Sequence, residues 1–194
     1  RGSPGIWRPL NLVYLNLERV AKLLESVMGV QIQAMHPADW ERVRAIYQQG
    51  IASGQATFEL EAPSWEKWDA SHHPFARLVA RSEGRVVGWA ALSPVSGRRC
   101  YEGVAEVSVY VDNERHGQGI GRQLLLATIA ESERRGFWTL QGGTFAENEA
   151  SLRLQRACGF RVIGKRERIG QLGGVWKDTI LTERRSPVVG VDSP

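Results

Sequence analysis

The groups best placed for chemistry in this sequence are the backbone N–H groups of a glycine-rich turn. The turn carries Gly117, Gly119 and Gly121 at alternate positions and follows the apolar segment 105–111. Glycine has no Cβ to keep a ligand away from the backbone, and the first turn of a helix carries free N–H groups at the positive end of its dipole. The pattern therefore predicts an anion-binding site, and phosphate is the obvious ligand.

Two common phosphate-binding glycine motifs do not fit this turn. The dinucleotide fingerprint needs a glycine at the sixth place counted from Gly117, and this chain has Arg122 there. The nucleoside-triphosphate loop needs Gly-Lys followed by Ser or Thr, which is absent. Taken alone, the turn is as consistent with a structural strand-to-helix connection as with an anion site, so the neighbouring segments must decide.

The elements around the turn predict one mixed α/β domain without a repeat. Hydrophobic periodicity and turn residues divide the chain into alternating strands and helices. Strands are predicted at 30–34, 75–81, 85–94, about 104–111, 138–144, about 160–167 and about 175–183. Helices are predicted at about 38–53, after the N-cap residue Ser64, from the glycine turn to Gly136, and from 147 to Gly159.

Composition excludes several function classes. The 194 residues are enough for one domain with a full core, and the formal charge is only +4. The basic pairs are separated along the chain, which favours solvated surfaces over nucleic-acid binding, although a mild positive field also suits a polyanionic cofactor. The two cysteines, Cys100 and Cys158, have no paired spacing. We therefore expect no disulfide and no metal site, and a reducing, cytoplasmic location.

The ends of the chain are expected to lie outside the domain. Residues 1–29 are interpreted as an N-terminal extension, with a linker-like or tag-derived start at 1–5 and an amphipathic helix from about Tyr14 to Met28. Charged residues interrupt that helix, so we expect neither a secretory segment nor a membrane span. The domain is predicted at 30–185 and a C-terminal tail at 186–194.

Several segments in order resemble the GCN5-related N-acetyltransferase (GNAT) superfamily. The segment 116–121, His-Gly-Gln-Gly-Ile-Gly, is similar to the family's pyrophosphate-binding motif, although the first place is usually Gln or Arg. The segments 147–151 and 158–160 resemble the family's later Asn-containing helix and its Gly-Phe end. The segment 173–178 resembles the closing Gly-x-Trp-x-Asp hairpin of the phosphinothricin acetyltransferase branch.

The resemblance implies a fold and a cofactor. The fold would be α/β with a mixed, mostly antiparallel central sheet, splayed at the fourth and fifth strands and covered by helices on both faces. Acetyl-coenzyme A would be the cosubstrate, with its pantetheine arm paired to the splayed strand, no metal would be needed, and a homodimer is expected. The implied cofactor-binding residues are Val109, Tyr110, Val111, His116, Gly117, Gln118, Gly119, Ile120, Gly121, Arg122, Asn148 and Ser151.

The strand 105–111, Ala-Glu-Val-Ser-Val-Tyr-Val, is similar to that of enzymes acetylating phosphinothricin, methionine sulfoximine and related analogues. The resemblance makes Glu106 the catalytic base, because an ammonium nucleophile must lose a proton before it can attack a thioester. Glu102 is the next candidate for the base. A backbone N–H near Val109 is expected to stabilise the oxyanion. No general acid is assigned, because Gln155 stands where many members have Tyr.

The same branch resemblance suggests an acceptor site. Phe58, Arg98, Arg99 and Tyr101 occupy places that resemble substrate-contacting positions, although the two arginines are also consistent with solvated loop charges. The expected function is acetyl-coenzyme A-dependent N-acetylation of the α-amino group of a small amino-acid analogue, by direct transfer in a ternary complex. Ordinary amino acids or protein N-termini are alternative acceptors. A non-catalytic acyl-coenzyme A sensor or interaction module is an alternative of a different class. No nucleic-acid or membrane partner is expected.

Overall fold

Seven strands and four α-helices make up the described part, residues 29–191, of the computed structural model. The strands are β1 (Val30–Ala34), β2 (Leu78–Ser82), β3 (Arg85–Pro94), β4 (Val104–Val111), β5 (Thr139–Phe145), β6 (Arg161–Leu172) and β7 (Val175–Arg185). The helices are α1 (Trp40–Ala52), α2 (Trp65–Ser71), α3 (Ile120–Arg134) and α4 (Glu149–Ala157). The amphipathic helix predicted from about Tyr14 to Met28 lies outside the described residues.

The strands form one sheet that opens in the middle. Their order is β1-β2-β3-β4-β5-β7-β6, and β4 and β5 are the parallel neighbours in an otherwise antiparallel sheet. The pairing of β4 with β5 covers only Val104 to Glu106, whereas its pairing with β3 continues to Val111. The two central strands therefore separate after Glu106, and the predicted splay between the fourth and fifth strands is confirmed.

Helices cover both faces of the sheet, as predicted. On one face, α1 and α2 bury a cluster around Trp40, Trp68 and Trp89. On the other face, α3 packs Leu125 and Ile129 on the centre of the sheet. Side chains alternate between the faces of a strand, so β4 contributes to both layers.

Local signals explain the start of α2 and the end of α1. The Ser64 side chain accepts a hydrogen bond from the Lys67 N–H at 3.4 Å, so the predicted N-cap is confirmed. Helix α1 ends before Gly54, whose φ of 65° suits glycine. Gly50 lies inside the helix, where an added Cβ would lie 2.7 Å from the Tyr110 ring.

Two strand boundaries differ by three or more residues from the sequence prediction. Strand β2 begins at Leu78 rather than at 75, because Ala76 has a φ of 53° that no strand accepts. Strand β6 extends to Leu172 rather than to about 167, because β6 and β7 pair as a long hairpin around Gly173 and Gly174. As an edge strand with most side chains exposed, β6 shows no clean polar alternation from which its length could be predicted.

Candidate active site

The backbone of β4 presents alternate peptide groups to the opening in the sheet. Just before the strand, the Gly103 carbonyl accepts hydrogen bonds from the N–H groups of Trp138 and Thr139, at 2.9 and 3.1 Å, on the β5 side. Just after it, the Asp112 N–H donates to the Val87 carbonyl of β3 at 2.9 Å. Peptide groups of successive residues in a strand point to opposite sides, so odd-numbered residues of β4 face β5.

Val109 and Val111 therefore direct their peptide groups into the opening, beyond the last pair with β5. In the described structure no strand lies opposite them, so they resemble a sheet edge that can accept an added extended chain. The Val111 carbonyl is the exception, because Nε2 of His116 lies 3.0 Å from it. The N–H groups of Val109 and Val111 and the Val109 carbonyl remain for a ligand arm.

Tyr110, also predicted to contact the cofactor, has a different orientation. Its residue pairs with Trp89 of β3, so its peptide groups face away from the opening. Its ring stacks on Trp89 at 4.7 Å and meets Tyr47 edge-on at 4.9 Å. Burial raises the pKa of its hydroxyl group, which remains protonated at neutral pH. In this structure the Tyr110 ring packs against the core, and the free backbone groups at the opening belong to Val109 and Val111.

The glycine turn forms an open cradle of backbone donors. Gly117 and Gly119 have φ values of 76° and 77°, and no described atom lies within 4 Å of a Cβ built on either. Gly119 is the N-cap of α3, and the next N–H groups to find a backbone acceptor are those of Arg122 and Gln123. Within the described chain, the N–H groups from 117 to 121 have no acceptor, and Ile120 anchors the helix in the core. This cradle fits a diphosphate.

The side chains of the turn support it rather than enter it. The imidazole of His116 is held at the Val111 carbonyl, which ties the turn to the end of β4. The Gln118 amide donates to the Glu114 carbonyl at 3.4 Å. Arg122 is exposed on the first turn of α3 and can meet a bound anion.

Gly121 serves the packing of α3 against α4. An added Cβ there would lie 3.2 Å from Leu154 and 3.6 Å from Val111. The third glycine of the motif thus lets two helices approach, while the first two keep the cradle open.

Asn148 and Ser151, predicted as cofactor contacts, make structural hydrogen bonds in this structure. The Asn148 Oδ1 accepts from the Ser151 N–H at 3.0 Å, which caps α4, and its Nδ2 donates to the Gln55 carbonyl at 3.0 Å. The Ser151 hydroxyl lies 3.3 Å from the Gln155 amide nitrogen. Both residues therefore position α4 and the loop that precedes it.

Gln155, at the place where many family members have Tyr, is buried in a polar network. Its Nε2 donates to the Thr144 hydroxyl at 2.9 Å, and its Oε1 accepts from the Thr182 hydroxyl. An added Cβ on Gly142 would lie 2.8 Å from Gln155, so the network fills this space completely. A neutral amide held in this way cannot donate a proton to a leaving group.

Glu106 lies where β4 and β5 begin to separate, on the face opposite Val109. Its Oε1 lies 3.3 Å from the position that a Cβ on Gly143 would occupy. The side chain reaches solvent, but protein surrounds much of it, and this burial raises the pKa of its carboxyl group. The positive charge of Arg166 and a hydrogen bond from the Gly143 N–H act in the opposite direction.

Arg166 of β6 is a site residue that sequence reasoning missed. Its Nη2 lies 3.2 Å from the same Cβ position on Gly143, and its Nε donates to the Thr179 hydroxyl at 3.1 Å. Arg166 is separated from Glu106 by 60 positions along the chain and is brought near it only by the pairing of β5, β7 and β6. One basic residue in an exposed edge strand gives no sequence signal of this proximity.

A recess of about 450 Å³ opens at the start of β4 and β5. Glu106 does not line it, but Gln141, in its wall, is the residue that pairs with Glu106 in the sheet. The polar residues of its lining are Ser96, Tyr101, Thr139, Gln141 and Glu183. The recess thus offers hydroxyl and amide groups to a ligand, and one of them belongs to the residue that pairs with the candidate base, Glu106.

The four predicted acceptor residues occupy three different environments. Tyr101 lines the recess, and the Arg98 guanidinium lies over its ring at 5.7 Å. The Arg99 side chain is 95% exposed and lies 3.9 Å from Glu102, so it belongs to the solvated surface of the loop. Phe58 packs edge-on against Phe145 at 4.7 Å, two residues beyond Gly143 on the same face of β5.

Within residues 29–191 no three His, Cys, Asp or Glu side chains are grouped to hold a metal ion. None of the helices there has the length and apolar character needed to cross a membrane.

Comparisons with known proteins agree with this geometry. The family model described as Acetyltransferase (GNAT) family matches residues 40–160. A phosphinothricin N-acetyltransferase of Alcaligenes faecalis is 33% identical over 162 residues, which are 79% of this chain and 81% of that protein.

Two solved structures are also similar. A GNAT superfamily phosphinothricin acetyltransferase from Sinorhizobium meliloti, in complex with acetyl-coenzyme A, gives a TM-score of 0.77 at 27% identity, covering 86% of this chain and 94% of that one. A ribosomal-protein-alanine N-acetyltransferase from Brucella melitensis gives 0.74 at 31% identity, covering 80% and 99%.

Proposed function

Since this chain belongs to the GNAT family of acetyltransferases, we propose that it acetylates the α-amino group of a small amino-acid analogue such as phosphinothricin. The chain is an N-acetyltransferase, and acetyl-coenzyme A, bound in the Sinorhizobium structure, is its cosubstrate. The acceptor, the residues that act on it and direct transfer in a ternary complex are the proposal.

The cofactor site we propose consists of the glycine cradle and the open side of β4. The cosubstrate supplies an acetyl thioester. The free N–H groups between 117 and 121 would hold its diphosphate, and Arg122 would add a positive charge beside them. Val109 and Val111 would pair with the extended arm through their free peptide groups. The Val109 N–H then also serves as the donor that stabilises negative charge on the acyl oxygen.

One observation carries the assignment of the base: Glu106 lies at the mouth of the opening, between the recess and the free peptide groups of β4. The α-amino group of an amino acid has a pKa above neutral pH, so it arrives mostly protonated. The Glu106 carboxylate, whose pKa is raised by burial, can accept that proton directly or through one water molecule.

The recess supports a small acceptor. At about 450 Å³ it lies within the usual range of about 300–1,000 Å³ for small-molecule sites. Its Ser96, Thr139 and Gln141 side chains can donate hydrogen bonds to the oxygens of a phosphinate. Tyr101 and the cation of Arg98 above it would bind the far end of the acceptor.

A protein N-terminus is a second candidate acceptor, favoured by the name of the similar Brucella protein. A peptide needs an open groove beyond its first residue, whereas a free amino acid needs only the recess. Assays on a short alanine-ended peptide and on phosphinothricin separate these candidates.

The experiment that tests the proposal is a coenzyme A release assay with Glu106→Gln. We expect wild-type protein to release coenzyme A with phosphinothricin, and Glu106→Gln to lower kcat by about 10²- to 10⁴-fold, the usual contribution of a general base. Glu102→Gln is the matched variant, because Glu102 is the alternative base yet lies in solvent beside Arg99. A sensor would bind acetyl-coenzyme A without turnover in all three proteins, and equal loss in the two variants would remove the special role of Glu106.

We also propose an arrangement for the rest of the protein. Residues 30–185 would form the catalytic domain, with 1–29 as an extension and 186–194 as a tail. The enzyme would work in the cytoplasm as a homodimer, for which light scattering of the full chain is the test.

A further inference from the structure

We infer that Arg166 binds the α-carboxylate of the acceptor, so that the enzyme holds a zwitterionic amino acid between Arg166 and Glu106, over Gly143. This inference rests on the proposed acetylation of an amino acid. It names a specificity-determining residue and the class of acceptor: an amine that carries an adjacent carboxylate.

The first argument is the position of two opposite charges around one empty point. The missing Cβ of Gly143 would lie 3.3 Å from Oε1 of Glu106 and 3.2 Å from Nη2 of Arg166. Within residues 29–191 the two groups form no direct ion pair, so the space between them is not closed by their own contact. An α-amino acid carries its ammonium and carboxylate on one carbon, which matches a carboxylate and a guanidinium that flank one small space.

The second argument is that the terminal nitrogens of Arg166 donate no hydrogen bond within the described structure. Two of the three other basic residues of β6 are paired: Arg161 bonds to Glu183, and Lys165 lies 2.7 Å from Asp178. Arg166, in contrast, has no carboxylate within 4 Å in the described structure, and its only side-chain hydrogen bond there, through Nε to Thr179, fixes the guanidinium. Its terminal nitrogens therefore remain available for a carboxylate, which a guanidinium can bind with two parallel hydrogen bonds.

The third argument is that residue 143, beside the two charged groups, has no side chain. The φ of Gly143 is not in the left-handed region, so the backbone would accept any residue there. Its lack of a side chain instead leaves room beside the two charged groups, because an alanine Cβ would crowd both of them. With glycine at this position, no side chain competes with an acceptor for the space beside the two charged groups.

The arginines predicted from the sequence are less suited to the α-carboxylate. Arg99 lies in solvent beside Glu102, and Arg98 is held over the ring of Tyr101, which lines the recess. With the amino group at Glu106, a side chain that extends into the recess would reach Arg98. The α-carboxylate then needs a cation next to Glu106, where Arg166 lies.

The test compares two acceptors that differ only in the carboxylate: phosphinothricin and 3-aminopropyl(methyl)phosphinic acid, its decarboxylated form. Wild-type protein should prefer phosphinothricin by at least tenfold in kcat/KM. At a pH where Glu106 is deprotonated in both proteins, Arg166→Gln should lower kcat/KM for phosphinothricin about 10- to 100-fold, the range for a lost charged hydrogen bond, and lower kcat/KM for the amine much less. Arg166→Lys should recover part of the loss, because lysine keeps the positive charge but lacks the two parallel N–H donors of a guanidinium. Arg44→Gln, on the exposed side of α1, is the matched control and should match wild type.

Two glycine-to-alanine variants provide an independent test of the acceptor site. Gly143→Ala should raise KM for phosphinothricin without changing KM for acetyl-coenzyme A. Gly164→Ala, in β6, is its control, because a Cβ there meets no described atom within 4 Å. Arg166 and Glu106 reach the Gly143 site with the ends of flexible side chains, so the alanine variant should fold, and thermal denaturation checks this.

The outcomes separate this inference from the proposed function. If wild-type protein turns over phosphinothricin and Arg166→Gln leaves the preference over the amine unchanged, the inference is overturned while the proposed function stands. If wild-type protein binds phosphinothricin without turnover, the proposed function fails. Calorimetry then decides the inference, which equal affinity of wild-type and Arg166→Gln protein would overturn. If neither binding nor turnover occurs, both are overturned.

Discussion

Matched substitutions at Gly119 and Gly84 distinguish an effect on acetyl-coenzyme A binding from an effect on folding. Gly119 and Gly84 both have a φ of 77°, and in neither case does an added Cβ meet a described atom within 4 Å. Gly84 lies in the turn between β2 and β3 and is not part of the cradle, although its flanking residues line a recess together with Asp112, Glu114 and Arg115. Gly119→Asp and Gly84→Asp therefore introduce the same strain at two positions, of which one is expected to bind a diphosphate.

The magnitudes follow from the backbone and from the charge. A non-glycine residue in the left-handed region costs about 1–2 kcal/mol, so each variant should lose about 2–8 °C in Tm for a domain of this size. A carboxylate about 4 Å from a phosphate charge is repelled by about 1 kcal/mol in water and about 4 kcal/mol near a protein surface. We therefore expect the Kd for acetyl-coenzyme A to rise at least about fivefold in Gly119→Asp and not in Gly84→Asp.

Isothermal titration calorimetry with acetyl-coenzyme A measures these affinities, and thermal denaturation measures the matched loss of stability. The difference between the variants should shrink at high salt, because the site is open to solvent and the repulsion is screened. Equal affinity of the two variants for acetyl-coenzyme A would refute the placement of the diphosphate at this turn.

Three other perturbations test the site and its support. The acidic limb of the pH profile of kcat/KM should report the titration of Glu106, because its carboxyl group must be deprotonated to accept a proton. Burial raises the pKa of this group, so activity should begin to fall at a higher pH than it would with an exposed glutamate as the base. Arg166→Gln removes an influence that lowers this pKa, so the limb should move to higher pH, and an unmoved limb would contradict the assignment. Gly50→Ala should destabilise the fold by about 1–3 kcal/mol in denaturant unfolding despite the better helix propensity of alanine, because its Cβ would overlap the Tyr110 ring. Ser64→Ala should cost about 1 kcal/mol through the lost cap of α2, and no change in the midpoint would count against that role.

Local patterns were sufficient for most of the fold. The bounds of β1, β3 and β4 agree with the alternation of apolar residues, and Ser64 marks the start of α2. The boundary errors occur at residues whose conformation depends on partners. Ala76 takes a positive φ beside the tethered Arg77, and β6 is extended by its pairing with β7.

Predictions for individual site residues were less complete, because a motif names positions without their orientation. Tyr110 follows Val109 in the strand, yet its peptide groups face β3 and its ring enters the core. Asn148 and Ser151 lie in the expected segment, but their side chains are engaged in capping α4 and in the polar network around Gln155.

The sequence by itself determined the strand-to-glycine-turn unit and the carboxylate of Glu106, because their residues are neighbours in the chain. Only the tertiary structure decided which groups meet around that carboxylate. Glu106, Gly143 and Arg166 belong to β4, β5 and β6, and they converge because the sheet order places β7 between β5 and β6 and brings one face of each strand together. Such proximity depends on strand order and register, which arise from packing over the whole sheet and not from any local segment.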